Sequence, residues 1–325
     1  MTMNKPKVFV TRRWPARVEQ QLSDLFDATL NTDDYPLSLS ELIDAMQNSD
    51  AVLPTVSDRI TAEVLTVQPR QTQIIASFGV GFNHIDLDAA KSEGLTVTNT
   101  PDVLTDCTAD LAITLMLSLA RRAGEGERHV RNGSWSGWRP THMMATRVTG
   151  KKLGLVGMGR IARAVAKRAH QGFEMEVSFY DPFLPPQEML SNIEANSCKS
   201  LEQLLSSSDF ISIHCPGSKE THHLIDANAI SHIQPHAFLI NTARGDVIDE
   251  QALVTALNNN QIAGAALDVY EFEPVIDDEL LAMDNVVLLP HLGSATLETR
   301  EAMGMRVIEN LKAFFAGEQP PDKLI

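Results

Sequence analysis

Apolar strand-like segments alternate with helix-like segments along the whole chain. In the N-terminal third, short apolar runs at residues 7–11, 51–54, 73–77 and 95–99 are separated by helical stretches. Parallel strands need a crossover between them, so this alternation predicts a parallel sheet covered by helices. The apolar face of the first predicted helix consists of Val18, Leu22, Leu25 and Phe26.

A second alternating series runs from residue 152 to residue 291. The chain then ends in a predicted helix over residues 296–315, with Gly317 as its C-terminal stop. The expected buried face of that helix consists of Met303, Val307, Leu311 and Phe314.

Residues 124–150 interrupt this alternation. They follow a long apolar helix predicted over residues 105–122, hold three glycines before Trp135, and show no clean period. A long irregular segment in a compact chain is typically functional or an arm that reaches a partner subunit. An ordinary linker between domains fits the pattern equally well.

Composition and charge limit the classes of function. The 325 residues suffice for two domains of ordinary size, and a formal net charge of −15 argues against nucleic-acid or anionic-membrane partners, which require clustered Lys and Arg. The three cysteines, Cys107, Cys198 and Cys215, form neither a disulfide framework nor a zinc motif. Without a secretory signal or an apolar run of membrane-spanning length, the cytoplasm is the expected location.

A glycine-rich motif in the second series predicts a dinucleotide site. The apolar run 153–156 leads into Gly157-Met158-Gly159-Arg160-Ile161-Ala162, a G-x-G-x-x-A motif that opens a helix. Gly157 permits a tight turn, Gly159 lets a pyrophosphate approach the backbone, and Ala162 allows close helix–strand packing. The phosphates would bind at the N-terminus of the helix, where the amides point outward.

Asp181 favours NAD over NADP. It ends the next predicted strand, 176–180, and lies 22 residues after Gly159. A carboxylate at this place accepts hydrogen bonds from ribose hydroxyls and repels a 2′-phosphate. The sequence has no arginine between Arg168 and Arg244 that would attract that phosphate.

Three further apolar runs each end in a residue suited to catalysis. Arg244 follows residues 238–243, Glu273 follows residues 263–270, and His291 follows residues 286–290. Because the carboxyl ends of parallel strands share one edge of a sheet, we expect these three side chains to form a site.

The three residue types suit the reduction of a keto acid. Arg244 can bind a carboxylate through two hydrogen bonds, and His291 can give a proton to the carbonyl oxygen as a hydride reaches the carbon. Glu273 can hold the other ring nitrogen of the histidine. Spacing alone does not separate Glu273 from Glu271 in this role, and a surface ion pair remains an alternative for Arg244.

Other histidines and glycines are weaker candidates. The glycine-rich loop 78–83 can direct backbone amides at an anion or serve as a plain turn, and His84 follows it. His222 and His223 are adjacent, which is not the helical spacing of metal ligands, so no metal is expected.

Over essentially its whole length the chain resembles the D-isomer-specific 2-hydroxyacid dehydrogenases. Its N-terminal KVFVTRR and the W-x-G-W-x-P of residues 135–140 resemble most closely the glyoxylate/hydroxypyruvate reductase branch. The motifs that carry the family resemblance are GVGFNHIDLDAA at 79, GMGRIA at 157, NTARGDVID at 241, DVYEFEP at 268 and PHLGSAT at 290.

The resemblance implies roles that spacing leaves open. It implies that Glu273 partners His291, and that Arg244 binds the substrate carboxylate together with the amides of Val80 and Gly81. Trp138 matches a tryptophan that reaches towards the partner's active site. Cofactor contacts are implied, besides Gly157 and Gly159, for Arg160, Ile161, Asp181, Thr242, Ala243, Arg244, Asp268, His291, Gly293 and Ser294.

The resemblance also implies an architecture. It implies two doubly wound parallel-sheet α/β domains with a cleft between them. A flavodoxin-like substrate domain would comprise residues 1–99 and 292–325, and a Rossmann domain that binds NAD would comprise residues 100–291. A homodimer is implied, with residues 124–150 as its dimerisation arm.

The function that we expect is NAD-dependent reduction of glyoxylate, hydroxypyruvate or a similar small 2-keto acid to the D-2-hydroxy acid. Asp181 stands where many reductases of the branch carry residues suited to NADP, so the cofactor need not follow the branch. A dinucleotide-sensing protein of the corepressor type and a phosphite dehydrogenase remain alternatives. Formate dehydrogenases are disfavoured because they carry glutamine at the position of Glu273.

Overall fold

The computed structural model describes residues 5–190 and 193–325, and the chain forms two compact units. The first unit extends to Leu104 and resumes at Ala295–Ile325, whereas the second is Thr105–Ser294. The domain boundaries expected from the sequence lie at residues 99 and 291, five and three residues before the corresponding ends at Leu104 and Ser294.

The first unit is built on a five-stranded sheet in which every strand pair is parallel. Its strands are β1 (Lys7–Val10), β2 (Asp27–Leu30), β3 (Ala51–Leu53), β4 (Ile74–Ala76) and β5 (Thr96–Thr98). Its helices are α1 (Ala16–Leu25), α2 (Leu39–Asn48), α3 (Ala62–Leu65), α4 (Leu87–Ser92) and α12 (Leu297–Phe315). The order β2-β1-β3-β4-β5 is the flavodoxin-like order, as expected.

Packing in the first unit follows the predicted helix faces with one exception. Val18 and Leu22 on α1 are fully buried, but Leu25 is 37% exposed because it lies at the end of the helix. On α12, Met303, Val307 and Leu311 are buried against α1 and the sheet, and the amide of Gly317 donates to the carbonyl of Phe314. The edge strand β2 was not predicted, because its alternating residues are half exposed and lack a continuous apolar run.

The second unit is built on a seven-stranded sheet, again with only parallel pairs. Its strands are β6 (Lys152–Val156), β7 (Glu176–Tyr180), β8 (Ala195–Ser197), β9 (Phe210–Ile213), β10 (Phe238–Asn241), β11 (Gly264–Leu267) and β12 (Val286–Leu288). Its helices are α5 (Thr105–Ala120), α6 (Ala123–Arg131), α7 (Arg160–Phe173), α8 (Leu201–Ser207), α9 (Ala227–Ser231), α10 (Glu250–Asn258) and α11 (Asp278–Ala282).

The strand order of this sheet, β12-β11-β10-β9-β6-β7-β8, identifies a Rossmann-type fold. The direction of winding reverses between β6 and β9, and ligands bind at the carboxyl ends of strands beside such a switch point. Strands β9, β10 and β11 are buried along their whole length by hydrophobic clusters on the two faces. This double burial explains why the sequence reads as continuous apolar runs.

Residues 124–150 are irregular only in part. Their first residues belong to helix α6, although Gly124 and Gly126 disfavour a helix, and ion pairs of Arg122 with Glu125 and of Arg131 with Glu127 link residues along this stretch. The remainder exposes large apolar side chains, with Trp135 at 55% and Trp138 at 82%. Such exposure is typical of a surface that contacts a partner.

Among the described helices, none combines the length and the apolar character that a membrane crossing requires.

Candidate active site

The glycine-rich loop lies at the switch point of the second sheet. Gly157 has a φ of +91°, and a Cβ there would lie 3.0 Å from the amide nitrogen of Cys215 and 3.1 Å from the carbonyl carbon of His214. Only glycine tolerates both the positive φ and the close approach of this backbone. The amide of Gly157 donates to the carbonyl of Tyr180 at 2.8 Å, which ties the loop to the end of β7.

The start of α7 fits an anionic dinucleotide. Gly159 is the N-cap, no side chain caps the helix, and a Cβ on Gly159 would meet no atom within 4 Å, so the space before the first turn is open. Ala162 is fully buried in one hydrophobic cluster with Leu153 and Leu155 of β6, as close helix–strand packing requires. Across the switch point, the buried hydroxyl of Thr242 has no hydrogen-bond partner within the described part of the chain, so it could bind a ligand.

Asp181 lies directly after β7 and is held in place by the glycine-rich loop and by its own following turn. Its Oδ2 accepts a hydrogen bond from the amide of Met158 at 2.7 Å, and its Oδ1 accepts one from the amide of Phe183 at 2.8 Å. A carboxylate oxygen has a second lone pair, so each oxygen can still accept a hydrogen bond from a ribose hydroxyl.

Arg244 follows β10 and starts a turn pressed against the loop after β11. A Cβ on the next residue, Gly245, would lie 1.9 Å from the carbonyl carbon of Tyr270, so only glycine permits this approach. Asn241 fixes the turn, because its Nδ2 donates to the carbonyl of Arg244 at 2.8 Å. Gly217 leaves room for the side chain, since a Cβ there would lie 3.0 Å from Cγ of Arg244.

Two opposing effects act on the pKa of the Arg244 guanidinium. Burial lowers its pKa, and the carboxylates of Glu273 and Asp246 oppose that effect. An arginine remains protonated in such surroundings because its ordinary pKa is so high. The group therefore supplies a fixed positive charge near Glu273.

His291 and Glu273 form a direct pair. Nδ1 of His291 lies 2.9 Å from Oε2 of Glu273, and the other carboxylate oxygen accepts a hydrogen bond from the amide of Tyr270 at 3.0 Å. Burial favours the neutral carboxyl, but the hydrogen bond and charge of His291, the Tyr270 amide and the charge of Arg244 together bring the pKa of Glu273 below its usual value. Glu271 points elsewhere, to His223 at 2.8 Å.

Asp268 positions the turn that carries His291. It is buried, and its two carboxylate oxygens accept hydrogen bonds from the amides of Leu292 at 2.6 Å and Gly293 at 2.8 Å. The amide of His291 donates to the carbonyl of Asp268 at 2.9 Å. These bonds hold His291 at a φ of +55°, a conformation that usually costs about 1–3 kcal/mol outside glycine. Burial raises the pKa of Asp268, and the two amides and His291 oppose that effect.

The structure brings most of the expected site residues to one edge of the second sheet. Thr242 and Ala243 follow β10, Asp268 follows β11, and Gly293 and Ser294 come after β12, beside the residues described above. Arg160 and Ile161 begin α7.

Three other expected site residues, Val80, Gly81 and Trp138, belong to other segments of the chain. Val80 and Gly81 belong to the first unit, where the carbonyl of Val80 accepts a hydrogen bond from Nδ2 of Asn99 at 2.8 Å. His84, in the same loop, contacts the hydroxyl of Ser77 at 3.2 Å. Trp138 lies on the exposed segment after α6.

Several residues of the site were missed by sequence reasoning. The turn after β9 brings His214 and Cys215 against the glycine-rich loop, and Gly217 against Arg244. Burial lowers the pKa of His214 to about 4, so this imidazole is neutral, and its Nε2 contacts the hydroxyl of Ser212 at 2.9 Å. The signal was present, since a fourth apolar strand ends in His-Cys-Pro-Gly.

Comparisons with known proteins show similarity to one family of dehydrogenases. A family model described as "D-isomer specific 2-hydroxyacid dehydrogenase, NAD binding domain" matches residues 113–293, which lie within the second unit. A glyoxylate reductase from Thermococcus litoralis is 44% identical over 98% of this chain and 96% of its own.

Solved structures are similar over both units. A D-isomer specific 2-hydroxyacid dehydrogenase from Polaromonas sp. JS6 66 has a TM-score of 0.91 and 38% identity, and covers 99% of this chain and 100% of that one. An NADPH-dependent glyoxylate/hydroxypyruvate reductase from Sinorhizobium meliloti, in complex with NADP and malonate, has a TM-score of 0.87 and 32% identity, with coverage of 99% and 97%.

Proposed function

The chain belongs to the D-isomer-specific 2-hydroxyacid dehydrogenase family, and from this premise we propose that it reduces glyoxylate, hydroxypyruvate or a similar small 2-keto acid to the D-2-hydroxy acid, with NADH as the preferred cofactor. The observation that carries the proposal is the His291–Glu273 pair, 2.9 Å apart, with the charge of Arg244 beside it. It combines a proton donor with an anion-binding group, which are the two functions that this reaction needs from the protein.

We propose a separate task for each of the three side chains. Arg244 binds the substrate carboxylate through two parallel hydrogen bonds and so fixes the direction of the keto group. Glu273 holds Nδ1 of His291 and so orients the ring, which leaves Nε2 as the nitrogen that faces the substrate. His291 gives its proton to the carbonyl oxygen, which becomes the hydroxyl of the product.

When bound, a nicotinamide cofactor would supply the hydride for the carbonyl carbon. The chain's contribution to its binding is proposed to come from the open start of α7, the turn at Thr242 and Ala243, and the carboxylate of Asp181. Asp181 supports NADH over NADPH because its charge repels a 2′-phosphate. The Sinorhizobium meliloti relative is NADPH-dependent, so we assign the preference from this residue and not from the family.

The remaining roles rest on the family resemblance and are proposed with it. The second unit is proposed as the cofactor-binding domain and the first as the substrate domain. Val80 and Gly81 are proposed to bind the carboxylate through their amides. The exposed segment with Trp138 is proposed to contact the partner subunit of a homodimer, and its apolar exposure supports this assignment.

The decisive experiment compares His291→Ala with the wild type in the oxidation of NADH by glyoxylate and hydroxypyruvate. We expect kcat to fall about 10²–10⁴-fold, the usual contribution of a positioned acid, while the Kd for NADH stays nearly constant. His236→Ala is the matched control, because His236 pairs with Asp209 and should leave kcat unchanged.

Each other outcome contradicts a specific part of the proposal. Comparable activity in His291→Ala would remove the assigned role. Binding of NADH without turnover of any 2-keto acid would favour a dinucleotide-sensing protein. Oxidation of phosphite with NAD⁺ would favour a phosphite dehydrogenase.

A further inference from the structure

A second cluster of ligand-type side chains lies outside the His291–Glu273 pair. His222 and His223 follow β9, and Glu271 follows β11, 48 residues after His223. One ligand atom from each of the three side chains lies within 4.8 Å of the others. The two imidazole rings are stacked with centroids 4.0 Å apart, and Nε2 of His223 is 2.8 Å from Oε1 of Glu271.

From this geometry we propose that His222, His223 and Glu271 form a binding site for a divalent transition-metal ion such as Zn²⁺. Two imidazole nitrogens and one carboxylate oxygen are the donors that zinc and its neighbours prefer, whereas Ca²⁺ and Mg²⁺ prefer oxygen alone. Three protein ligands leave the fourth tetrahedral position for water.

The separations are close to those of an occupied site. Zinc bonds of about 2.0–2.2 Å place tetrahedral ligand atoms roughly 3.3–3.6 Å apart. The widest separation, within 4.8 Å, therefore needs to shrink by at most roughly 1.2–1.5 Å, and the 2.8 Å between Nε2 of His223 and Oε1 of Glu271 needs to widen by roughly 0.5–0.8 Å. His222 is exposed and can make that change by rotation of its side chain, which is not packed in the core.

Hydrogen bonds around the cluster orient its ligands. Oε2 of Glu271 accepts from the amide of Glu250 at 3.2 Å, so Oε1 is directed to the histidines. The amide of His223 donates to the carbonyl of Asp246 at 2.8 Å, and that of His222 donates to the carbonyl of Ser218 at 3.0 Å. The amide of Glu250 thus orients the carboxylate of Glu271, and the two backbone bonds fix the turn that carries the histidines, so less ordering of carboxylate and backbone is needed on binding.

The cluster connects the loops that carry the residues proposed for catalysis. Asp246, which holds His223, comes two residues after Arg244, and Glu271 comes two residues before Glu273. The ion would tie the turn after β9 to the loop after β11. We therefore expect metal binding to raise the unfolding temperature of the whole chain.

The test uses the full chain without a histidine tag, treated with a chelator and then dialysed. Titration with Co²⁺, followed by its visible d–d absorption, and calorimetric titration with Zn²⁺ should each give one site per chain. Because even outer-shell partners of a metal contribute about 10–100-fold in affinity, His222→Ala and Glu271→Gln should each weaken binding at least about 10-fold. The control His236→Ala should bind as the wild type does.

Thermal unfolding separates loss of a ligand from loss of the fold. Each variant should unfold cooperatively without metal, and Zn²⁺ should raise the unfolding temperature of the wild type and of His236→Ala only. Absence of a stoichiometric site, or equal binding by His222→Ala and Glu271→Gln, would overturn the proposal. These are binding measurements, so their failure would leave the proposed reductase activity untouched.

Discussion

Gly245→Ala tests how the loops of the candidate active site are held against each other. An added Cβ would lie 1.9 Å from the carbonyl carbon of Tyr270 and 2.4 Å from the amide nitrogen of Glu271. Carbon atoms that are not bonded prefer separations of about 3.5–4.0 Å. The turn after β10 and the loop after β11 must therefore separate by roughly 1.5–2 Å, because the obstructing atoms are backbone and cannot rotate away.

The expected effects follow from that displacement. Forcing atoms into a packed site typically costs about 1–3 kcal/mol, so the free energy of unfolding should fall by that amount. Arg244 immediately precedes the substituted residue, and Glu273 lies on the opposing loop. A misplacement of about 1 Å at a reacting centre can cost about 10²-fold, so kcat/KM for glyoxylate should fall to that extent.

Urea unfolding followed by circular dichroism measures the first effect, and NADH absorbance during glyoxylate reduction measures the second. Gly172→Ala is the matched control, since Gly172 lies in the exposed last turn of α7 and a Cβ there meets no atom within 4 Å. That variant should be as stable as the wild type or more stable by up to about 1 kcal/mol, and equally active. Wild-type stability and kcat/KM in Gly245→Ala would refute the reasoning.

Three further substitutions test single features of the site. Because the pKa of Glu273 is lowered in the folded chain, its carboxylate stabilises the fold above the ordinary value of 4.5, and this contribution is lost as the pH falls through the lower folded-state value. The stability difference between wild type and Glu273→Gln, measured by urea unfolding, should therefore be widest at neutral pH and narrow in acid; a constant difference would contradict the assigned ionisation. Asp181→Asn keeps an acceptor for the Met158 amide but removes the negative charge. The ratio of kcat/KM with NADPH to kcat/KM with NADH should therefore rise at least about tenfold, which is equivalent to about 1.4 kcal/mol. An unchanged ratio would contradict the proposed NADH preference. Because Trp138 is exposed, Trp138→Ala should change the free energy of unfolding by no more than about 0.5 kcal/mol. It should raise KM for hydroxypyruvate more than KM for glyoxylate, whereas the control Trp135→Ala should not. Equal kinetics in the two variants would argue against a role for Trp138 near a substrate.

The local pattern of the chain predicted parallel strands in both units, although not every strand of either sheet. Strands buried on two faces leave continuous apolar runs, and β9, β10 and β11 are buried at every position. Strands β2, β8 and β9 and helix α6 were not predicted individually. For the edge strands β2 and β8 and for helix α6, the reason is that their support comes from other parts of the structure. β2 is stabilised by its pairing with β1, and α6 contains glycines that local preference places outside helices.

The sequence of the glycine-rich motif predicts what its own residues do, but not which other residues they contact. Gly157, Gly159 and Ala162 were each assigned a physical task from the sequence, and the positive φ, the open space and the full burial agree with those tasks. What the motif could not indicate is the strand opposite to it. Cys215 limits the space at Gly157, and it is 58 residues further along the chain.

The amino-acid sequence by itself determined the alternation of strands and helices, the two parallel sheets and the residues that end each strand, because these depend on spacing between near neighbours. Only the tertiary structure showed which contacts form: Glu273 and not Glu271 contacts His291, Asp268 holds the turn before the final helix, and Glu271 contacts His223 instead. The reason is that the partner of a side chain depends on which distant loops meet. Gly245 allows the turn after β10 to lie against the loop after β11, and the spacing of residues along the chain does not predict that contact.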